Sequence, residues 1–309
     1  MKCTILIPVC TELDFLKIGI YKIKQFRHPE IEQEIIIADQ TDFSQTLQDL
    51  FGSDPEIKIV KIPRIDAGYP IDIGAKMATG DYFCSLDADA FPIHRNWLYL
   101  PIKLIERYNL SFVGKQTGLH ISYPAHGNFR HINNYYRVSK TNIAKKIAED
   151  VSFMRWGNRS MVNFIPTDTR WNSDCDNGVV AQWYADQIDC GGKVSLALNK
   201  TIGFTSEMGI YGMVIDDLVF HMVFGFGEEW IKDLSKTLGS QYLEWKEKIK
   251  NGEIESVSES MLSATIPHHP IETDREYWDG KTAKRLSPND EMYQFIETIK
   301  KSQHESKSI

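Results

Sequence analysis

The chain has 309 residues, with 35 Lys and Arg against 42 Asp and Glu for a formal net charge of −7. A hydrophobic share of 42% and a charged share of 25% are those of a globular protein and exclude a disordered or collagen-like chain. The mild acidic excess excludes a general nucleic-acid binder, which needs a basic face for phosphates, and the length suits two domains or one large α/β domain with additions.

Thr4 to Val9 is a short, nearly continuous apolar run, the mark of a strand buried on both faces of a parallel sheet. Leu13, Phe15, Leu16, Ile18, Ile20, Tyr21, Ile23 and Phe26 recur at roughly helical spacing until His28-Pro29 stops the pattern. Glu34 to Ala38 is a second β-branched run, ending at Asp39, and Ile57 to Ile62 is a third, closed by Pro63. Ile71 to Thr79 predicts a short helix with Gly80 as its C-terminal stop. Asp81 to Leu86 predicts a fourth strand, which delivers Asp87-Ala88-Asp89 at its carboxyl end. Alternating strands and helices predict a parallel sheet with right-handed crossovers. Ligands of such sheets bind outside the carboxyl ends of the strands, where Asp39 and Asp87 stand.

Ser111 to Gly114 predicts a further strand, and the His-, Tyr-, Gly- and Asn-rich stretch from Lys115 to Arg137 a surface loop or lid. A helical pattern within Asn177 to Gly191 precedes a strand over Lys193 to Leu198. Glu228 to Lys250 predicts a charged amphipathic helix carrying Trp230, Ile231, Leu234, Leu238, Tyr242 and Trp245 at helical steps. From Asn251 the chain turns polar, and Lys300 to Ile309 predicts a frayed tail. The five cysteines, Cys3, Cys10, Cys84, Cys175 and Cys190, contain no C-x-x-C pair, which argues against a zinc ribbon or a disulfide framework. A reducing, cytoplasmic setting is the expectation. The N-terminal apolar run is too short for a signal peptide and no run reaches the roughly 18 apolar residues of a membrane span, which leaves peripheral membrane contact open.

The chemistry concentrates in a few residues. Asp87 and Asp89, one residue apart on the turn leaving a buried strand, offer hard oxygen ligands for Mg2+ or Mn2+ with positions left for a substrate diphosphate. The pattern recurs at Asp174-Cys175-Asp176, so a solvated turn with a helix cap is the alternative for either copy. Asp39 can accept from a nucleobase N–H, or cap the segment from Thr41 to Leu50. Gly68, Asp72 and Gly74 mark a loop-to-helix step where backbone can approach a phosphate or sugar, although neither G-x-G-x-x-G nor a P-loop is present. His221, after the apolar Leu218-Val219-Phe220, reads as a metal ligand or as a hydrogen-bonded core histidine. His120, His126 and His131 lack helical ligand spacing, which argues against zinc, and His268-His269-Pro270 reads as an exposed turn.

The order IPVCTELDFL, EIIIADQTD and GYPIDIGAKMATGDYFCSLDADAFP resembles the nucleotide-binding half of GT-A glycosyltransferases, in particular glycosyltransferase family two. The likeness covers about the first hundred residues. Two positions depart from the family pattern: Gln40 stands for its second aspartate, and Pro70-Ile71-Asp72 for its A-R-N triplet, which suggests a divergent branch. The resemblance implies a GT-A, Rossmann-like α/β fold with a mostly parallel central sheet, flanking helices and a helical C-terminal extension. It also implies that Asp39 contacts the base of a nucleotide sugar, uracil if the donor is UDP-linked. Asp87 would face the ribose and the metal, with Ala88 beside it, Asp89 would ligate the metal directly, and Pro8, Val9 and Thr11 or Glu12 would line the nucleotide cleft. A late histidine, here His221, is similar in placement to a further metal ligand of such enzymes. An inverting transfer needs a carboxylate base, for which Asp176, at the head of a helix ending in Gly191-Gly192-Lys193, is the first candidate and Asp174 the second. Asp176 serves equally as an N-cap, and Trp156, Trp171 and Trp183 are acceptor walls or core.

The expected organisation is a nucleotide-sugar-binding half (1–110), an acceptor-binding and catalytic half (111–227), and a helical extension with a tail (228–309). The expected activity is Mn2+- or Mg2+-dependent transfer of a sugar from a nucleoside diphosphate donor to a hydroxyl of a glycan or other acceptor. The alternatives are a catalytically silent GT-A module that binds or assembles, and a sugar nucleotidyltransferase. The latter needs a G-x-G-x-R loop after the first strand, which Cys10-Thr11-Glu12-Leu13 does not supply.

Overall fold

The computed structural model describes residues 1–10, 13–116, 121–123, 127–129, 132–154, 181, 184–185, 195–197, 201–206, 209–221, 240–257, 275–278 and 283–302. Strand β1 (Lys2–Val9) leads to helix α1 (Leu13–Gln25), then β2 (Glu32–Asp39), α2 (Ser44–Phe51), β3 (Ile57–Lys61), α3 (Tyr69–Met77) and β4 (Tyr82–Leu86). These four strands pair in parallel, β2 with β1 and β3, and β1 with β4. The unbroken apolar runs of β1 and β2 follow from helices covering both faces. Cys3, Ile5, Ile7 and Val9 of β1 join one core with Leu16, Ile20 and Ile23 of α1. Leu6 turns to the other face, with Ile36 and Ala38 of β2 and with Ile71 and Ala75 of α3. Each large aliphatic side chain so buried contributes about 1.5–3 kcal/mol.

Gly80 does not end α3. Its cap is Ala78, and Gly80 is instead required by close approach: a Cβ there would lie 2.7 Å from the Thr4 amide nitrogen and 2.9 Å from the Lys2 carbonyl oxygen. Beyond β4 come β5 (Ala90–Pro92), a 3-10 turn (Arg95–Trp97), α4 (Tyr99–Tyr108), β6 (Phe112–Gln116), and the short hairpin of β7 (Ile121–Tyr123) and β8 (Gly127–Phe129). Strand β9 (Ile132–Lys140) then inserts antiparallel between β4 and β6, and α5 (Thr141–Asp150) packs beside α3. The expected surface loop over 115–137 is therefore corrected: its last part is a central strand. Its polar composition hid this, because Arg137 is buried between two rings, with its guanidinium carbon 5.0 Å from the centroid of Phe112 and 4.4 Å from that of Phe153. Burial pushes this guanidinium's pKa down, against the pull of Asp72.

The chain continues through β10 (Ser195–Ala197), β11 (Thr201–Ser206), β12 (Gly209–Ile215), β13 (Val219–His221), α6 (Ser240–Lys250), β14 (Glu276–Trp278), β15 (Ala283–Arg285) and α7 (Glu291–Lys301). Among the described residues the main sheet has nine strands in the order β15-β14-β10-β6-β9-β4-β1-β2-β3. All except β9 and β14 run in one direction, a mixed but mostly parallel sheet with flanking helices. A second sheet has the order β11-β12-β13-β5. The C-terminal segment is not only helical, since β14 and β15 extend the main sheet through β10. Nor does the chain fray at Lys300: that residue is buried in α7, whose Ile296 and Ile299 join the same core as α4. Of the helix expected over 228–250, α6 is the described part, and of the pattern within 177–191 only Ala181, Tyr184 and Ala185 are described, all three buried. Among the described residues no helix is long and apolar enough to cross a membrane.

Candidate active site

The end of β4 sets up the site. After Leu86 the chain turns sharply, with the Asp87 amide donating to the Tyr135 carbonyl of β9 (3.1 Å) and the Ala90 amide to the Asp87 carbonyl (3.0 Å). The turn hands over to β5, which pairs antiparallel with β13 so that Ala90 faces His221. That register brings a residue 132 positions downstream of Asp89 onto the D-x-D turn. His221 Nε2 lies 3.3 Å from Asp89 Oδ1 and 3.8 Å from Asp87 Oδ2, and one ligand atom from each of the three lies within 4.8 Å of the others.

The three differ in exposure. Asp89 is 1% exposed and His221 4%, whereas Asp87 is half-buried and faces outward. Neither oxygen of Asp89 has another hydrogen-bond partner among the described residues, and its near neighbour is His221 at 3.3 Å. His221 Nδ1 is likewise without a partner. Burial alone would lower the histidine's pKa, but the carboxylates of Asp89 and Asp87 outweigh it and raise it. Tyr135 stacks on the His221 ring with centroids 4.3 Å apart and planes 18° from parallel. Two carboxylates and an imidazole converging here, with neither Asp89 oxygen otherwise hydrogen-bonded among the described residues, form a donor set suited to a divalent cation.

A sequence model of the family described as Glycosyl transferase family 2 matches residues 4–165, which spans β1 through α5 and includes the D-x-D turn. The chain belongs to glycosyl transferase family 2. Among solved structures, the chain is similar to the mannosyltransferase PcManGT from Pyrobaculum calidifontis in complex with GDP-Man and Mn2+. That likeness has 14% identity over 47% of this chain and 46% of that one, with a TM-score of 0.37. It is also similar to S. aureus TarS (1–349) in complex with UDP-GlcNAc, at 15% identity over 50% of this chain and 48% of that one, TM-score 0.39. The chain spans about half the length of these two structures.

The other residues singled out from the sequence that are described fall around the same strand ends. Val9 pairs with Asp39 across β1 and β2, Val9 in the core and Pro8 half-buried. The Asp39 carboxylate is fully buried and turned into the start of α2: Oδ1 accepts from the Thr41 amide (2.8 Å) and hydroxyl (2.6 Å), and Oδ2 from the Ser44 hydroxyl. Those bonds, together with Lys61, outweigh burial and hold its pKa below the ordinary carboxylate value. Gly68 caps α3 where the backbone of Phe153 and Met154 crosses so closely that a Cβ would overlap it. Asp72, also buried, accepts from the Ser152 hydroxyl and the Phe153 amide (2.8 Å). Ala88 packs in the core with α1 residues, and Gly74 lies against the Leu6 side chain. Thr11, Glu12, Asp174, Asp176, Trp156, Trp171, Trp183, His120, His126, His131, His268 and His269 lie outside the described residues.

Two features went unread in the sequence. Tyr135 sits in a stretch of mixed polar residues, and only the strand that it belongs to brings it onto His221. Gln40, the departure from the family pattern, bridges strand ends: it accepts from the Cys10 thiol (3.2 Å) and donates to the Pro63 carbonyl (3.2 Å). A glutamine can do both at once, which an aspartate cannot when ionised.

Proposed function

We propose that this glycosyltransferase moves a sugar from a UDP-linked donor, held with Mn2+ or Mg2+ at Asp87, Asp89 and His221, to a hydroxyl of a glycan or other acceptor, with inversion. The observation that carries the reading is Asp89. A buried carboxylate whose near neighbour is one imidazole at 3.3 Å, with no other hydrogen bond to either oxygen among the described residues, is costly in a folded protein, and a cation bound between it, Asp87 and His221 answers that cost. The donor set therefore fits the ion. When bound, the ion supplies Lewis-acid stabilisation of the departing diphosphate. Asp87, half-exposed at the cleft, is the ligand that also meets the nucleotide; Asp89 and His221 form the floor and keep water from beneath it. Asp39 keeps one of about four carboxylate acceptor positions for a base N–H. Asp176, with Asp174 as the alternative, takes the proton from the acceptor hydroxyl. In this reading residues 1–110 bind the donor, 111–227 the acceptor, and the remainder extends the fold.

A thermal-shift panel of UDP, GDP, CDP and TDP with and without Mn2+, on wild type and Asp89→Ala, tests it. A ligand specific to the native state raises stability by about 2.7 kcal/mol at a hundred times its Kd. The expected result is a Mn2+-dependent shift with UDP that Asp89→Ala abolishes. No shift with any nucleotide would refute the donor-site reading and favour a silent binding module.

A further inference from the structure

Asp216 and Asp217 open the turn between β12 and β13, and neither belongs to the metal-ligand cluster. Both have left-handed backbone, φ 49° and 60°, a conformation uncommon for L-residues but one that aspartate tolerates better than most. The charged partners of the turn come from the far end of the chain. Arg275 Nε and Nη2 each donate to the buried Asp216 carboxylate at 2.6 Å, and Lys300 Nζ donates to it at 2.9 Å. Lys300 Nζ also reaches Asp217 at 2.6 Å, and Arg275 Nη2 reaches Glu297 at 2.6 Å. The turn is tied in addition to β5, with the Ile93 amide donating to the Leu218 carbonyl (2.9 Å).

His221 lies three residues beyond Leu218, in a strand of three residues. So short a strand cannot set its own register; what fixes it is the turn at its head and its partners on either side. The pairing with β5 is marginal alone at this length, and the ionic knot is the second anchor. A buried ion cluster is weak as a source of net stability, because desolvation offsets most of the attraction; holding one geometry against others is the role it fills best. We infer that Arg275 and Lys300 are positioning residues for the metal-binding cluster: by locking the Asp216-Asp217 turn, they seat β13 so that His221 meets Asp89. This rests on the reading of Asp87, Asp89 and His221 as metal ligands.

The test is Mn2+ titration of the full chain in the presence of UDP, read from the electron paramagnetic resonance signal of free Mn2+, beside a melting curve for each variant. Lys300→Met and Arg275→Met are expected to weaken Mn2+ binding roughly tenfold or more, the scale of outer-sphere supports of metal ligands. Lys300→Arg, which keeps the charge, is expected to recover affinity to within about threefold of wild type. Lys22→Met, which breaks the part-buried Lys22–Glu255 contact away from the hairpin, is expected to lower the melting temperature without changing Mn2+ affinity. If the methionine variants do not fold, Glu297→Gln, which removes one half-buried partner of Arg275, is expected to weaken binding by roughly threefold. Folded Lys300→Met or Arg275→Met, or failing those Glu297→Gln, binding Mn2+ as wild type does would overturn the positioning role while leaving the metal site intact. Wild type that binds no Mn2+, or binds it equally as Asp89→Ala, would overturn the metal site and the positioning role together.

Discussion

Asp39→Asn separates the work of a buried charge from that of its hydrogen bonds. The wild-type carboxylate takes three side-chain or backbone donors, from the Thr41 amide, the Thr41 hydroxyl and the Ser44 hydroxyl, while Lys61 Nζ stands 3.5 Å away on a side chain 57% exposed. A hydrogen bond to an ionised acceptor contributes about 1 kcal/mol more than its neutral counterpart, so three of them favour the charge by about 3 kcal/mol. The exposed lysine adds little. Desolvation of the fully buried carboxylate works in the opposite direction, but the depressed pKa shows that the bonds win. Asparagine keeps neutral versions of the Thr41 bonds, leaving a net loss of about 1–2 kcal/mol, or roughly 2–6 °C in melting temperature for a chain of this size. Because the folded pKa lies below the unfolded one, this stability is present above the unfolded value and is lost as pH falls through the folded value. Urea denaturation of both proteins at neutral pH and in acid reads the difference. Equal midpoints at neutral pH, or a gap that stays constant into acid, would refute the reasoning.

Three further outcomes are expected. Asp72 behaves in the opposite sense: burial pushes its pKa up from 3.8 to about 6, against hydrogen bonds from Ser152 and Phe153. Its contribution is therefore greatest in acid and falls by about 3 kcal/mol as pH rises from about 4 to 6. Asp72→Asn should flatten that part of a urea-midpoint profile, and an unchanged slope would count against it. Tyr135→Phe should leave Mn2+ affinity within about twofold, while Tyr135→Ala, which removes the ring stacked on His221, should weaken it by up to about tenfold, as read by calorimetric titration. Gly68→Ala should destabilise by about 1–3 kcal/mol in a melting experiment, because the Phe153 backbone occupies the space a Cβ needs; an unaltered melting temperature would show that this crossing yields.

The first half of the fold was legible because β1 and β2 are buried on both faces and so are written in nearly unbroken aliphatic runs, β4 is a fully buried strand, and the helices carry one apolar stripe. The D-x-D turn could be placed for the same reason, at the end of such a run. Strand β9 was not legible: Tyr136 and Arg137 are polar by type but buried, and Tyr135 is half-buried against His221, through ring contacts that periodicity does not weigh. The same is true of Lys300, whose charge suggested a frayed tail while its partners, 84 residues earlier, were invisible to local pattern. His221 stood out as a histidine beside an apolar run, yet its approach to Asp89 depends on the β5–β13 register, a pairing across more than a hundred residues. Long-range pairing between short strands leaves almost no local trace.

The ionic knot beneath β13 also imposes an order in time. A growing chain lengthens by about 5–20 residues per second. Asp216 is therefore made roughly 4–17 s before Lys300, 84 positions later, can reach it. Until Arg275 and then Lys300 are made, the β12–β13 turn has its two aspartates without these cations and is held only by earlier neighbours, such as the Ile93 amide on the Leu218 carbonyl. Strands β1 to β4, which pair with one another, can assemble meanwhile. A ribosome-bound chain stalled before Arg275 would therefore hold these strands paired while the β13 segment that carries His221 lacked both its Arg275 and its Lys300 anchors.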